Sequence, residues 1–187
     1  MVTGRHSACA FGVIAGLVAG ALLLASCGGG DSTDASKGAT GAKVASSAKK
    51  AWADRVFDIY ETTVKDTVAA LEKTPPTAEA LPKLKAIRDK AIEALVPLGR
   101  EREAMDAATK KQAESQMLMK LMAAERSDAF KAYMALVNGT YSFAKMKTDD
   151  EKALYKILSG VNIITQYAHF ELLKKQAPKE AERLGIK

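Results

Sequence analysis

The sequence predicts an all-α domain over residues 47–187, an antiparallel up-down four-helix bundle with a kink or break near Pro97. Three observations predict it. From Ser46 onward the composition is dominated by Ala, Lys, Glu, Leu and Met, with few strand formers in alternation. Apolar positions recur every three or four residues, the spacing of one helical face. The periodic runs are separated by short connections marked by proline, by Asn-Gly and by capping residues, and antiparallel packing is the simplest arrangement for helices so joined. The domain is long enough for one core without disulfide staples.

The first helix is expected from about residue 47 to 73. Trp52, Val56, Ile59, Thr63, Val64, Val68 and Leu71 form its inner stripe, and Thr74-Pro75-Pro76 ends it because proline has no N–H to donate. Thr77 is a candidate N-cap for a second helix whose inner face reads Leu81, Leu84, Ile87, Ala91, Leu95 and Leu98. Pro82 falls near its first turn, whereas Pro97 and Gly99 predict the kink. After a turn near Met105 and Asp106, a third helix is expected over residues 107–137, with Ser115, Leu118, Met119, Met122, Ala129, Tyr133, Leu136 and Val137 facing inward. Asn138-Gly139 is its stop, since both residues tolerate the left-handed conformation. Thr148 and Glu151 fit a capping box opening the last helix, which carries Leu154, Ile157, Leu158, Val161, Ile164, Ala168 and Leu172 inward and ends near Gln176, before Pro178.

The N-terminus has a different character. Arg5 and His6 precede a mostly apolar run that closes on Leu24, Ala25, Ser26 and Cys27, followed by Gly28, Gly29 and Gly30. A charged start, a short apolar stretch and small residues at its end have the proportions of a secretory signal. Leu24-Ala25-Ser26-Cys27 resembles the lipobox of bacterial lipoproteins. That resemblance implies removal of residues 1–26 as a signal peptide and attachment of a diacylglycerol to the Cys27 thiol. It covers these first residues alone; the family of the helical domain is not recognisable from its sequence. Retention of residues 8–25 as an uncleaved anchor is the lesser alternative, because the run is short for a ~30 Å span and is interrupted by Gly12, Gly16 and Gly20.

Residues 27–46 read as the lipidated cysteine and a Gly/Ser/Ala/Thr tether, too poor in large apolar residues to build a core and, as a coil, spanning roughly 25 Å. In such lipoproteins, Asp after the cysteine resembles an inner-membrane retention signal. Gly28 in that place favours the outer membrane, facing the periplasm or the surface, in a Gram-negative envelope. Cys9 leaves with the signal, so Cys27 is the one thiol of the mature chain and no disulfide forms within it. The chain has 28 basic and 22 acidic residues, a net charge of +6. Both signs are interleaved along the helices, which reads as a solvated mixed surface and argues against a nucleic-acid partner.

The motifs that carry chemistry are sparse, and no cofactor is expected. His169 is the sole histidine after the signal and lacks a glutamate three residues before it, so there is no Glu-x-x-His pair for a di-iron site and no Cys/His cluster for zinc. It reads as a partly packed histidine near a helix C-terminus, where its charge would suit the helix dipole. Met117, Met119 and Met122 are possible soft-metal ligands, but positions 117 and 119 point about 200° apart, and adaptable core filling is the stronger reading. Gly160, inside the last helix, costs roughly 1 kcal/mol relative to alanine. It predicts close approach by an aromatic such as Trp52, Tyr60, Phe130 or Tyr133, with a ligand cleft as the alternative. Asn162, Thr165, Gln166 and Tyr167 are the polar groups beside such a cleft.

The function these readings favour is a non-enzymatic, lipid-anchored protein of the cell envelope, held at the membrane through Cys27 and binding an envelope protein partner. The candidate surface comprises Gly160, Asn162, Gln166, His169, Tyr141 and Phe143, the last two in the 141–146 connection. The alternative is a bundle that binds a small ligand or metal in a pocket near Gly160 and the Met119/Met122 pair. A third reading, an envelope hydrolase, rests on paired carboxylates drawn from Glu125, Asp128 and Glu171. There is no Gly-x-Ser-x-Gly elbow for a nucleophile, and Glu125, Arg126 and Asp128 are more simply a solvated face.

Overall fold

The computed structural model describes residues 50–187. The expected signal peptide, Cys27 and the tether lie outside the described residues. Among those described the fold is all-helical, with seven α-helices, a π-helical turn, two 3-10 segments and no strand.

Helix α1 (Trp52–Leu71) buries Trp52, Val56, Tyr60, Thr63, Val64, Thr67 and Leu71, close to the expected stripe. Its exit passes through Thr74 at φ +47°, a left-handed conformation that strains a β-branched residue. Helix α2 (Thr77–Glu103) starts one residue earlier than a Thr77 cap requires: extended Pro76 is the N-cap and no side chain caps the end. The expected break at Pro97 does not occur, and α2 runs through both Pro82 and Pro97. The carbonyl that Pro97 leaves without an N–H belongs to Glu93, an exposed residue, so the lost bond falls on the solvent side of the helix.

The two long helices expected next are both divided. Residues 107–137 form α3 (Ala107–Ala124) and α4 (Asp128–Ala135), because the Ser127 hydroxyl accepts the Phe130 N–H at 3.2 Å and starts a new helix. Asp106 caps α3 by accepting the Thr109 N–H at 2.9 Å. At Asn138-Gly139 the chain widens into a π turn, Leu136–Thr140, closed by the Tyr141 N–H on the Leu136 carbonyl. A 3-10 turn, Phe143–Lys145, leads to the Thr148 and Glu151 capping box, which opens α5 (Asp149–Gly160) as expected.

The division of the last helix has a visible cause. Tyr133 on α4 is fully buried and donates its hydroxyl to the Leu158 carbonyl at 2.8 Å, while the Asn162 N–H interacts with the same phenol oxygen. In a continuous α-helix that N–H and that carbonyl would bond to each other. The phenol binds that carbonyl, which also accepts the Val161 N–H of the tighter turn, and a side chain inserted in the i→i−4 ladder is a recognised cause of a helix break. The chain tightens into a 3-10 segment over Val161–Ala168, where Val161, Ile163, Ile164 and Thr165 are β-branched and lose side-chain freedom in an α-helix. It turns at His169 into α6 (Phe170–Gln176) and α7 (Pro178–Arg183), the last unanticipated.

Helix α1 packs on α2, α3, α4 and the Val161–Ala168 segment; α2 packs on α1, α5 and that same segment. These elements share the main core, whose fully buried members include Leu71, Leu84, Leu95, Leu154, Leu158 and Ile164. A second, smaller core of Phe170, Leu173, Ala181 and Ile186 folds the α6–α7 hairpin against Val96 of α2.

The glycine that permits close packing is Gly99, not Gly160. A methyl group at Gly99 would stand 2.3 Å from the Phe170 ring, whereas nothing lies within 4 Å of one at Gly160. Phe170 is buried in the second core and has little room to withdraw. Gly99→Val should therefore lose about 1–3 kcal/mol through overpacking. Gly160→Ala should gain about 0.5–1 kcal/mol from helix propensity. Urea midpoints of the two variants moving in opposite directions would establish the contrast, and equal shifts would refute it.

Candidate functional site

At the end of α2 the chain buries a charge. Arg102 is 2 % exposed. Its Nη1 donates to Glu103 Oε1 at 3.2 Å, its Nη2 donates to Glu114 of α3, and Glu171 Oε2 of α6 stands 3.5 Å from Nη2. Its Nε has no partner among the described residues. Arg55 of α1 pairs with Glu101, next to Arg102 in the chain, and Trp52 donates its indole N–H to the Leu98 carbonyl at 2.8 Å. His169 completes the junction, its ring edge-on to Trp52 with centroids 5.5 Å apart.

The electrostatics make this a structural tie. A guanidinium stays protonated, so it moves no proton. The carboxylates around it neutralise a cation that burial would otherwise strongly disfavour, and removing one partner of such a group is destabilising. His169 is at once the C-cap of the Val161–Ala168 3-10 segment and the N-cap of α6, so it lies at a helix C-terminus as expected, but the α6 start that follows it offsets the favourable dipole. Burial pushes its pKa below the ordinary value and the Arg102 charge adds to the depression; Glu114, Glu171 and Glu103 oppose it. Burial therefore disfavours the protonated imidazole.

The six expected surface residues differ in exposure, and two of them are not on the surface. Tyr141 and Gln166 are buried, and neither the Tyr141 hydroxyl nor Gln166 Oε1 has a partner among the described residues. Burial raises the Tyr141 pKa. Gly160 and His169 are half-buried, while Asn162 and Phe143 are exposed, Phe143 with its ring 5.4 Å from that of Tyr155. Gly160 and the Met119/Met122 pair are likewise apart as elements: α3 packs on α1, and α5 packs on α2. Glu125 and Asp128 are exposed near the α3–α4 junction, whereas Glu171 faces Arg102, so the three acids of the hydrolase reading serve different places. Among the described residues no group of three or more His, Cys, Asp or Glu side chains could hold a metal ion.

Helix α3 departs furthest from its expected phase. Met117 and Ala113 are its buried residues, while Leu118, Met119 and Met122, expected inside, are 59 %, 68 % and 55 % exposed. The helix is apolar on two faces, so periodicity did not decide which faces the core. Met117 faces the core beside half-buried Leu121, and Lys120 bonds to Asp54 of α1 at 2.6 Å with its ammonium 5.5 Å from the Phe57 ring. The outward stripe of Ser115, Leu118, Met119 and Met122 carries no charge.

No protein-family model, curated protein or solved structure matches the chain. Among the described residues no helix is long and apolar enough to cross a membrane.

The sign of the His169 effect gives a pH dependence. The unfolded imidazole titrates near 6.5 and the folded one lower, so the unfolded chain binds the extra proton first. Stability is complete above 6.5 and declines as the pH falls from 6.5 towards the folded pKa. Urea midpoints followed by the fluorescence of Trp52, the sole tryptophan, should drop between pH 7.5 and 5.5. His169→Phe, which keeps an aromatic ring against Trp52, should flatten that drop, and an equal slope in both proteins would contradict the assignment.

Proposed function

We propose that this chain is a lipid-anchored, non-enzymatic protein of the bacterial cell envelope, tethered through Cys27, whose domain presents the outer face of α3 to an apolar helix of an envelope protein. The observation that carries the interaction is the stripe of Leu118, Met119 and Met122 standing in solvent on one helix. Exposed large apolar side chains grouped in this way mark interaction surfaces. Their spacing of three and four residues suits a partner helix laid along α3, and the uncharged stripe suits an apolar partner. The anchor rests on Leu24-Ala25-Ser26-Cys27 and on the Gly-rich segment after it. With a glycine after the cysteine, the outer membrane is the favoured location in a Gram-negative cell.

The same reading includes a four-position antiparallel arrangement of the domain: α1 and α2 side by side, α3 with α4 against α1, and α5 with the 3-10 segment against α2. The packing of α1 on α3 and α4, of α2 on α5, and the Tyr133 bond from α4 to α5 support it.

Two experiments separate the anchor from the surface. Cys27→Ser should release the chain from the membrane fraction and abolish its lipid modification; persistent lipidation of that variant would refute the anchor. For the surface, a photo-crosslinking side chain at Met119 of the full chain in intact cells should form an adduct with one envelope protein. A crosslinker at exposed Glu182 should not form it. Leu118→Asp should lower the Met119 adduct at least about tenfold, equivalent to about 1.4 kcal/mol. Equal labelling from both positions, or an adduct only with a second copy of this chain, would overturn the proposed surface.

A further inference from the structure

Helix α2 and the C-terminal α7 enclose a groove of about 770 Å³. Lys85, Arg88, Ile92, Val96 and Arg100 line one wall at helical spacing, with the carboxylates of Asp89 and Glu93 on the same wall, and Arg183 and Leu184 line the other. The groove is divided by chemistry. Ile92, Val96, Pro97 and Leu184 give it an apolar middle, and Lys85, Arg88 and Arg183 place cations towards one end. Arg88 and Arg183 also line an adjoining hollow of about 640 Å³, together with Lys156 and Lys179. The densest positive charge therefore lies where the two depressions meet.

The arginines are held in place with donors to spare. Arg88 donates Nε and Nη2 to Asp89 Oδ1 at 3.1 and 2.8 Å, and Arg183 donates Nε and Nη2 to Glu180 at 2.8 and 2.7 Å. Tyr167 donates its hydroxyl to the same Glu180 at 3.1 Å. These carboxylates engage one edge of each guanidinium and leave Nη1 without a partner among the described residues. The ammonium groups of Lys85, Lys156 and Lys179 form no ion pair there either. A guanidinium fixed in this way is suited to a phosphate or carboxylate, which accepts parallel N–H bonds. From Arg88 to Arg100 the groove follows α2 for roughly 18 Å, at 1.5 Å per residue.

We propose that this groove binds a single-chain amphiphilic anion. Its phosphate or carboxylate head is set between Arg88 and Arg183, within reach of the surrounding lysines, and its apolar tail runs over Ile92, Val96, Pro97 and Leu184. Neither feature alone selects this ligand: an inorganic anion leaves the apolar middle wet, and a neutral chain leaves the cations unpaired. The groove shares no residue with α3, and its binding test needs no lipid on Cys27, so it stands or falls independently of the proposed function.

The test uses the full chain carrying Cys27→Ser, so that no acyl group of its own competes. Backbone amide shifts are followed during titration with monomeric decyl phosphate, with decyl maltoside and with inorganic phosphate. Decyl phosphate should bind at least tenfold more tightly than either control, with shifts confined to 85–100 and 167–184. Arg88→Gln combined with Arg183→Gln should weaken it at least tenfold, and so should Lys85→Gln combined with Lys179→Gln, which leaves every ion pair of the fold intact. Vesicles of phosphatidic acid and of phosphatidylcholine distinguish the source: binding of both the monomer and phosphatidic acid vesicles at the same amides makes a membrane lipid a source of the ligand, and binding of the monomer alone makes the ligand soluble. Equal affinity for the three small molecules, shifts elsewhere, or binding to vesicles without the monomer would overturn the proposal.

Discussion

The Tyr133 hydroxyl donates to the Leu158 carbonyl at 2.8 Å, and the Asn162 N–H meets the same oxygen, so one buried phenol occupies a rung of another helix's hydrogen-bond ladder. Much of the C-terminal architecture follows from that substitution. Had α5 continued past Gly160 as an α-helix, the residues from 161 onward would have kept one direction. Instead the chain tightens into 3-10 geometry, turns at His169, and brings Phe170 onto the bare backbone of Gly99. A buried polar group without a partner is costly, and the phenol satisfies its own hydroxyl while compensating the carbonyl whose α-helical partner it displaces. The same low dielectric raises the Tyr133 pKa, which keeps the hydroxyl protonated as a donor.

The turn at His169 has two consequences. On one side it places the imidazole against Trp52 and brings Glu171 to Arg102, so that α2, α3 and α6 meet at a single buried guanidinium with the start of α1 beside it. On the other side it lays α7 beside α2 and forms the cation-rimmed groove. The hairpin is stabilised by its own small core, distinct from the main one, and Gly99 lies where the two approach. Packing, electrostatics and the candidate ligand site at this end of the domain thus depend on the path that the chain takes after residue 160.

What the sequence made legible was local. The capping box at Thr148 and Glu151 and the inner stripes of α1 and α2 each follow from residues close together in the chain, whereas Asn138-Gly139 is not the expected left-handed stop: the chain runs through both in π geometry to Thr140, neither at positive φ. Ser127-Asp128 and the β-branched run after Gly160 also carried a local signal, a cap and a poor α-helix former, but strong periodicity on either side concealed it. The misplaced face of α3 had a different origin: two apolar faces compete, and the one that carries Met117 packs inward with Lys120 pairing to Asp54 of α1 at its edge. Gly99, Arg102 and the far wall of the groove were hidden for a third reason. Each depends on a contact between residues far apart in sequence: Gly99 with Phe170, Arg102 with Glu171, and Arg88 beside Arg183. Gly160 was the more conspicuous glycine, yet what faces a glycine is decided by tertiary approach, which the spacing of apolar residues does not encode.

Tyr133→Phe isolates the central interaction, because it keeps the ring and removes the hydroxyl. Native-state amide hydrogen exchange across residues 158–173, together with urea unfolding, reads both the local and the global effect. The expected loss is about 0.5–1.5 kcal/mol, the net worth of one buried hydrogen bond, since the Leu158 carbonyl still accepts the Val161 N–H, with protection falling most between Asn162 and Leu173 as the 3-10 segment and the hairpin loosen. Unchanged stability with unchanged protection across that stretch would contradict it, and would mean that the break after Gly160 is set by the Val161–Thr165 run without help from Tyr133.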